Sequence, residues 1–358
     1  MMLTLGANGF LAKRGIIPNT KCDPSEFFHI DVNHDLMKLG FDPYGIMKED
    51  IILMNHDIIV GIPVYNEEKN ISPLLFSLLE QNVKIREVIV VNDGSTDRTL
   101  NRITAVKEEI KHSLSIKIIN LKENKGLSNA LNLIFKEADS EHLIILPSDV
   151  ILLEHDTLDK IMTRFDGDSD VGLICGGSKE EISSSFDVVA RASRFVSFLF
   201  EKVLKERIKG KRKPPIWATG VIWGFPREVY KRLQLPVGLY RVDAYIYLCT
   251  ISLNKKVIVV PEAKPVLKPT KTPVKVFIYR DSRTSSIPKK HIEVFGDLVK
   301  REFKESDLKK EFKNFAVCFV QHPVDGLSWI MLKTISYIYR KVSKPQVTGT
   351  WRTYEVNK

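Results

Sequence analysis

Cysteine is scarce: Cys22, Cys175, Cys249 and Cys318 are the only four in 358 residues. They lie far apart, with no CxxC pair and no histidine at metal-ligand spacing. That excludes a disulfide framework and a cysteine-based zinc site, and the four read as reduced thiols of a cytosolic chain. No run of 18 apolar residues is present, so no segment predicts a helix that spans a bilayer. The nearest stretch, residues 315–341, is broken by Pro323, Asp325 and Gly326 and reads as interfacial or as core. The opening residues MMLTLGANGFLAKRG lack the apolar centre of a signal peptide. The GxGxxG fingerprint of dinucleotide folds and the Walker A pattern are both missing.

What is present is ordinary globular composition, 44% hydrophobic and 27% charged, enough to bury a large core in one big domain or two. The formal net charge of +10 suits an anionic partner: a nucleic acid, an acidic membrane face or a phosphorylated substrate. Charge alone does not choose among them.

From residue 57 short aliphatic runs alternate with helical patterns. DIIVGI (57–62), REVIVVN (86–92), IKIINL (116–121) and HLIIL (142–146) predict strands. Residues 68–82, 97–113 and 126–139 predict the helices between them, with Ser95, Thr96 and Asp97 as capping candidates for the second. Strands this uniformly aliphatic, alternating with helices, predict an α/β domain with a mostly parallel sheet covered on both faces. Such sheets bind ligands beyond the carboxyl ends of their strands.

Polar residues cluster at those ends: PVYNEE (63–68), NDGSTD (92–97), KENKG (122–126) and PSD (147–149). Any one of them would pass for a solvated turn. Four in succession deliver carboxylates, amides and a lysine to one edge. Carboxylates there can accept hydrogen bonds from a base or ribose, or hold a divalent cation that grips a diphosphate.

IVGIPVYNEEKNI, VIVVNDGSTDRTL, NKGLSNALN and LPSDV, in this order, resemble the family 2 glycosyltransferases of the GT-A fold, over roughly residues 57–282. The resemblance implies transfer of a sugar from a UDP- or GDP-linked donor, with inversion, assisted by Mg²⁺ or Mn²⁺. It implies a glycan or polyprenyl-linked acceptor and no nucleic acid. Asp93 matches the carboxylate that contacts the nucleotide base, and Ser95 follows it in the same loop. Pro63, Tyr65, Asn66 and Glu67 match the first nucleotide-side loop, and Lys125 and Gly126 match the segment near the ribose and phosphates. Ser148 and Asp149 match the end of the DxD motif, with Asp149 as the metal ligand. Pro147 stands where the first aspartate of DxD is expected, so one ribose or metal contact is lost.

The second half supplies the acceptor side. VGLICGG (171–177) predicts a fifth strand, and residues 181–209 a long amphipathic helix with a basic end, Lys209 to Lys213. By the same resemblance Thr219, Gly220 and Arg227 line the acceptor, and Asp243, at the start of a helix, is the general base. Asp243 as a simple helix N-cap is the competing reading. Arg280 and Arg283 are spaced to approach a diphosphate. Processive relatives carry QxxRW in that region; VFIYRDSRTSS here does not, so long-chain processive synthesis is not implied.

Residues 1–50 contain GANGFLAKR and FFHIDVNHD, which resemble the acceptor-side half of another such enzyme; Asp31 is not counted with the main site. The expected organisation is this segment, then a GT-A domain over 55–285 (nucleotide half 55–150, acceptor half 151–285), then a helical extension over 286–358. Trp329, Tyr337 and Tyr339 lie among aliphatics and lysines in that extension, a composition suited to an interface. The expected location is cytoplasmic, peripheral on the inner, anionic membrane face. Two other functions compete. A nucleotidyltransferase would need a basic, glycine-rich loop after the first strand, where PVYNEE is acidic. A non-catalytic GT-A binding protein would account for the incomplete DxD.

Overall fold

The structure is a computed structural model and describes residues 56–177, 179–180, 187–209, 221–267, 273–284, 289–304 and 308–343. All belong to the second of two units of the chain, Leu53–Lys358. The segment resembling a second enzyme, residues 1–50, and the basic residues 210–213 lie outside the described residues.

The first half alternates as its aliphatic runs predict. The order is β1 (Ile58–Val64), α1 (Ile71–Leu79), β2 (Ile85–Asn92), α2 (Thr99–Ile110), β3 (Ile116–Asn120), α3 (Leu127–Glu137) and β4 (His142–Ile145). A short β5 (Val150–Ile151) and α4 (Thr157–Met162) follow. Then come β6 (Val171–Gly176), β7 (Lys179–Glu180), α5 (Val188–Lys209), β8 (Trp223–Pro226), α6 (Arg227–Tyr230), α7 (Val242–Ser252), β9 (Lys256–Val260) and β10 (Val266–Leu267). Five helices close the described chain: α8 (Val274–Thr284), α9 (Lys289–Phe295), α10 (Asp297–Lys304), α11 (Leu308–Gln321) and α12 (Pro323–Ser343).

The main sheet has seven strands in the order β3-β2-β1-β4-β8-β6-β9. Pairing is parallel for β1 with β2 and β4, β2 with β3, and β6 with β9; β8 alone runs antiparallel to its neighbours β4 and β6. Alternate residues of each strand enter opposite core layers. Ile58, Val60, Ile62 and Val64 of β1 join Leu74 and Leu78 of α1 and Ile103 and Val106 of α2. Ile59, with Ile89 and Val91 of β2, joins Leu131, Ile134 and Phe135 of α3 and Tyr245 and Ile246 of α7. Both faces are covered, which is why these strands read as unbroken aliphatic runs. Gly61 leaves room for α3: a Cβ there would lie 2.4 Å from the Ile134 side chain.

Beyond the sheet, α11 and α12 pack on α5. Phe195 of α5 is fully buried between Phe315 and Trp329, with ring centroids 5.4 and 5.8 Å away. The apolar stretch at 315–341 is therefore two helices, and Pro323 opens the second, where a missing N–H costs nothing. Charge fixes α12 to its neighbours. Arg194 of α5 donates to Asp325 at 3.0 Å. Asp281 of α8 accepts from Lys333 at 2.5 Å, Ser336 at 2.6 Å and Arg340 at 2.5 Å. Burial alone would raise the Asp281 carboxyl; its three partners reverse that and hold it below the ordinary aspartate value.

Asp281→Asn should therefore lower the free energy of unfolding at pH 7 by about 1–3 kcal/mol, the cost of a broken charge-assisted cluster. Because the folded carboxyl is held low, its contribution is present above the unfolded value near about 4 and is lost as pH falls through the folded value. Urea denaturation of both proteins across pH should show the gap closing toward low pH.

Candidate active site

Parallel pairing puts the carboxyl ends of β1 to β4 at one edge, with Val64 level with Asn92 and Asn92 level with Asn120. Side chains then tie the loops together. Asn92 donates to Asn120 at 2.7 Å and accepts from Ser95 at 2.5 Å, and Ser95 Oγ in turn accepts the Asn66 N–H at 2.9 Å. Asn66 holds the left-handed backbone its loop needs, φ 55°, and its side-chain oxygen accepts the Thr96 N–H at 2.8 Å. The Glu67 N–H donates to Thr99 at 2.7 Å. None of the capping candidates holds the N-cap position of α2, which is Arg98 with no side-chain cap; Asp97, just before it, accepts the Thr99 N–H at 2.9 Å, and Ser95 and Thr96 bind the first loop.

Asp93 is wholly buried, and its two oxygens accept the backbone N–H groups of Lys125 and Gly126, each at 2.8 Å. The sequence expectation was a direct contact with the nucleotide base. In this structure the carboxylate holds the loop between β3 and α3. Gly94 makes the same loop approach possible: its φ is +69°, and a Cβ would lie 2.4 Å from the Glu123 backbone. The Lys125 side chain stays half exposed, 3.7 Å from Glu123.

Asp149 sits in the turn between β4 and β5, and Ser148 before it is buried. Burial raises the Asp149 carboxyl, opposed by its own backbone N–H and by the Arg280 charge. Glu67 lies close enough to feel the same charges. Burial pushes it up to about 7, against the Asn70 hydrogen bond at 2.7 Å, while Asp149 and Asp97 raise it further and Arg280 lowers it. Arg280, an exposed residue of α8, is thus a cation close enough to act on both carboxylates.

Asp243 arrives from the other half. Three residues, 253–255, join the end of α7 to the start of β9, so α7 runs antiparallel to β9 and its N-terminus points to the carboxyl edge. The N-cap position is Arg241, in left-handed backbone at φ 56° with no side-chain cap; Asp243 is the second helical residue. The N-cap reading is thus corrected in position: Arg241 and not Asp243 is the N-cap, while the Asp243 carboxylate bonds to its own and the Ala244 backbone N–H within the first turn. Burial raises this carboxyl as well, with the Arg241 charge opposing.

Arg227 departs from expectation. β8 is antiparallel, so its last residue, Pro226, pairs with His142, the first residue of β4. Arg227 follows at the amino edge, opposite the Asp149 turn, where it pairs with Asp139 at 2.5 Å. It does not line the site. Thr219 and Gly220 lie outside the described residues, and so does the Arg283 side chain. Sequence reasoning missed the pairing of Asn92 with Asn120, whose signal was an amide as the last residue of two consecutive strands. It also missed Asp97 as a charge beside Glu67.

Residues 59–233 match the family model described as Glycosyl transferase family 2. This segment belongs to that family. The glycosyltransferase segment is 31% identical over 146 residues to the poly-beta-1,6-N-acetyl-D-glucosamine synthase of Staphylococcus aureus, covering 40% of this chain and 34% of the relative. It is 28% identical over 139 residues to the synthase of that name from Staphylococcus epidermidis, covering 38% of this chain and 32% of the relative. The chain thus spans about a third of the length of these curated relatives. A solved structure, the mannosyltransferase PcManGT from Pyrobaculum calidifontis in complex with GDP-Man and Mn2+, shares the fold. Its TM-score is 0.54 at 16% identity, covering 81% of this chain and 88% of that one. The architecture is the GT-A fold.

Two outcomes follow for the glycosyltransferase domain. Asp93→Ala should free two buried N–H groups and cost about 1–3 kcal/mol, with the Lys125 and Gly126 amides losing protection from hydrogen exchange. Glu67 has its carboxyl raised on folding, so the native state holds the proton more tightly and stability falls as pH rises from the unfolded value toward about 7. Glu67→Gln should therefore raise the melting temperature at pH 8 and leave it unchanged at pH 4.

Proposed function

We propose that the chain is a hexosyltransferase of the inverting kind, moving a sugar from a UDP- or GDP-linked donor to a hydroxyl or phosphate oxygen of a glycan or lipid-linked acceptor. The observation that carries the reading is the convergence of Glu67, Asp149 and Arg280 at the sheet edge onto which α7 also directs Asp243. The family membership of residues 59–233 supports it, as do a relative named for polymerising N-acetylglucosamine and a fold neighbour that binds GDP-Man.

The nucleotide lies along the loops Pro63–Glu67 and Asp93–Ser95, with Asp93 acting through the Lys125–Gly126 loop it holds. Asp149 would hold the divalent cation, Mg²⁺ or Mn²⁺. The donor set fits such an ion only with help: among the described residues no cluster of three or more metal-binding side chains forms, so the diphosphate and water would complete the shell. When bound, the cation supplies positive charge to the leaving diphosphate. Arg280 adds a fixed positive charge on the same side.

Asp243 takes the proton from the acceptor oxygen as that oxygen bonds to the anomeric carbon and the bond to the diphosphate breaks. A single displacement from the face opposite the leaving group inverts the centre. A raised carboxyl suits the role, since a base closer to neutrality accepts the proton more readily. The nucleotidyltransferase alternative has no basic triphosphate loop to stand on, because the first loop carries Glu67 and Glu68.

Purified protein should release nucleotide from one member of a panel of UDP- and GDP-sugars in the presence of Mn²⁺ and a polyol or lipid-phosphate acceptor. Asp149→Ala should abolish release, and Asp243→Ala should lower kcat about 10²–10⁴-fold while donor affinity is kept. Failure of every nucleotide-sugar to bind sinks the enzyme reading, and full activity in Asp243→Ala moves the base elsewhere.

A further inference from the structure

Helix α12 is built inside out. A surface helix ordinarily turns its apolar face to the core and its charges to water. Here Asp325, Lys333, Ser336 and Arg340 face inward, engaged with Arg194 and Asp281, beside Trp329 and the buried Leu332. Facing outward are Val324, Leu327, Ile330, Met331, Ile335, Ile338 and Val342, with Leu327 58% and Val342 78% exposed. At 3.6 residues per turn these seven fall within about 140° of the circumference, a stripe along the helix that also holds exposed Thr334 and, near its Tyr337 border, Lys341. Neighbouring α11 adds exposed Phe312 and Val320.

The rim of the stripe is specific. Tyr337 and Tyr339, both exposed, fall on its two opposite borders. Lys341 holds its ammonium 5.7 Å from the Tyr337 ring centroid. The helix holds a single carboxylate, Asp325, and that one is turned inward against Arg194. An apolar stripe flanked by tyrosines and lysine, free of outward acid, is complementary to the headgroup layer of an anionic bilayer. A twofold pairing of two copies would set this lysine-bearing, acid-free face against itself. Among the described residues no helix is long and apolar enough to cross a membrane, so the helix would lie in the interface plane.

We infer that the outer face of α12 docks the protein on an anionic lipid surface, seating Leu327, Met331 and Ile338 among the acyl chains and Lys341 among the headgroups. This does not rest on the sugar-transfer reading.

The test is flotation of the full chain with vesicles of phosphatidylcholine alone and of phosphatidylcholine mixed with phosphatidylglycerol. The protein should float with the mixed vesicles and more weakly with the neutral ones. The triple variant Leu327→Ser, Met331→Ser, Ile338→Ser should lose partitioning by at least about tenfold, the order expected when buried aliphatic side chains are removed. Its melting temperature should stay close to the wild type, because none of the three belongs to a buried core cluster. Lys341→Glu should weaken flotation on mixed vesicles only. No flotation with either vesicle overturns the inference, as does equal flotation of the triple variant. A wild-type dimer that the triple variant converts to monomer, with no vesicle binding by either, assigns the stripe to a second copy and overturns it too.

Discussion

Parallel pairing on both sides of β1 is the constraint from which the site follows. It brings the ends of β3, β2, β1 and β4 into one row, and the loops that carry the candidate nucleotide-side residues leave from that row. The loops hold their shape through side chains rather than through ladder bonds, because the ladder has ended. Asn92 and Asn120 extend the register of β2 and β3 by one pair of side chains. Asp93 then reaches past them to bind the backbone that opens α3. A buried carboxylate that accepts two N–H groups is strongly directional, so its position dictates where the following loop runs.

Withdrawal from water is the second organising force. Glu67, Asp149 and Asp243 are all shifted the same way by burial, and the fold leaves that cost in place. Elsewhere it does not: Asp281, more buried by surface, is neutralised by two cations and a hydroxyl. The contrast separates a carboxylate that serves architecture from carboxylates kept poised for a cation or a proton.

The strands and the edge they share were legible because a two-faced buried strand has a composition that little else imitates. The loops were legible as polar punctuation in the right order. Arg227 was misplaced because sequence carries no direct sign that β8 reverses direction; a Gly-rich strand reads the same either way. The anchoring role of Asp93 was not legible, because a carboxylate beside a glycine in NDGS resembles an exposed turn, and the close approach of Glu123 to Gly94 shows that another loop covers it. The helix α12 was hardest. Its aliphatics left interface and core both open, and nothing in their spacing says that the polar residues between them would meet Arg194 and Asp281 from within.

The cluster at Asp281 has a mechanical consequence. Arg280 is the next residue on α8, so the charge that balances Asp149 and Glu67 is fastened to α12 and not to the sheet. The carboxylates of the site therefore stand on the strand loops and the cation that acts on them on the outer helices. A displacement of those helices would change the field at the carboxylates with every strand left in place.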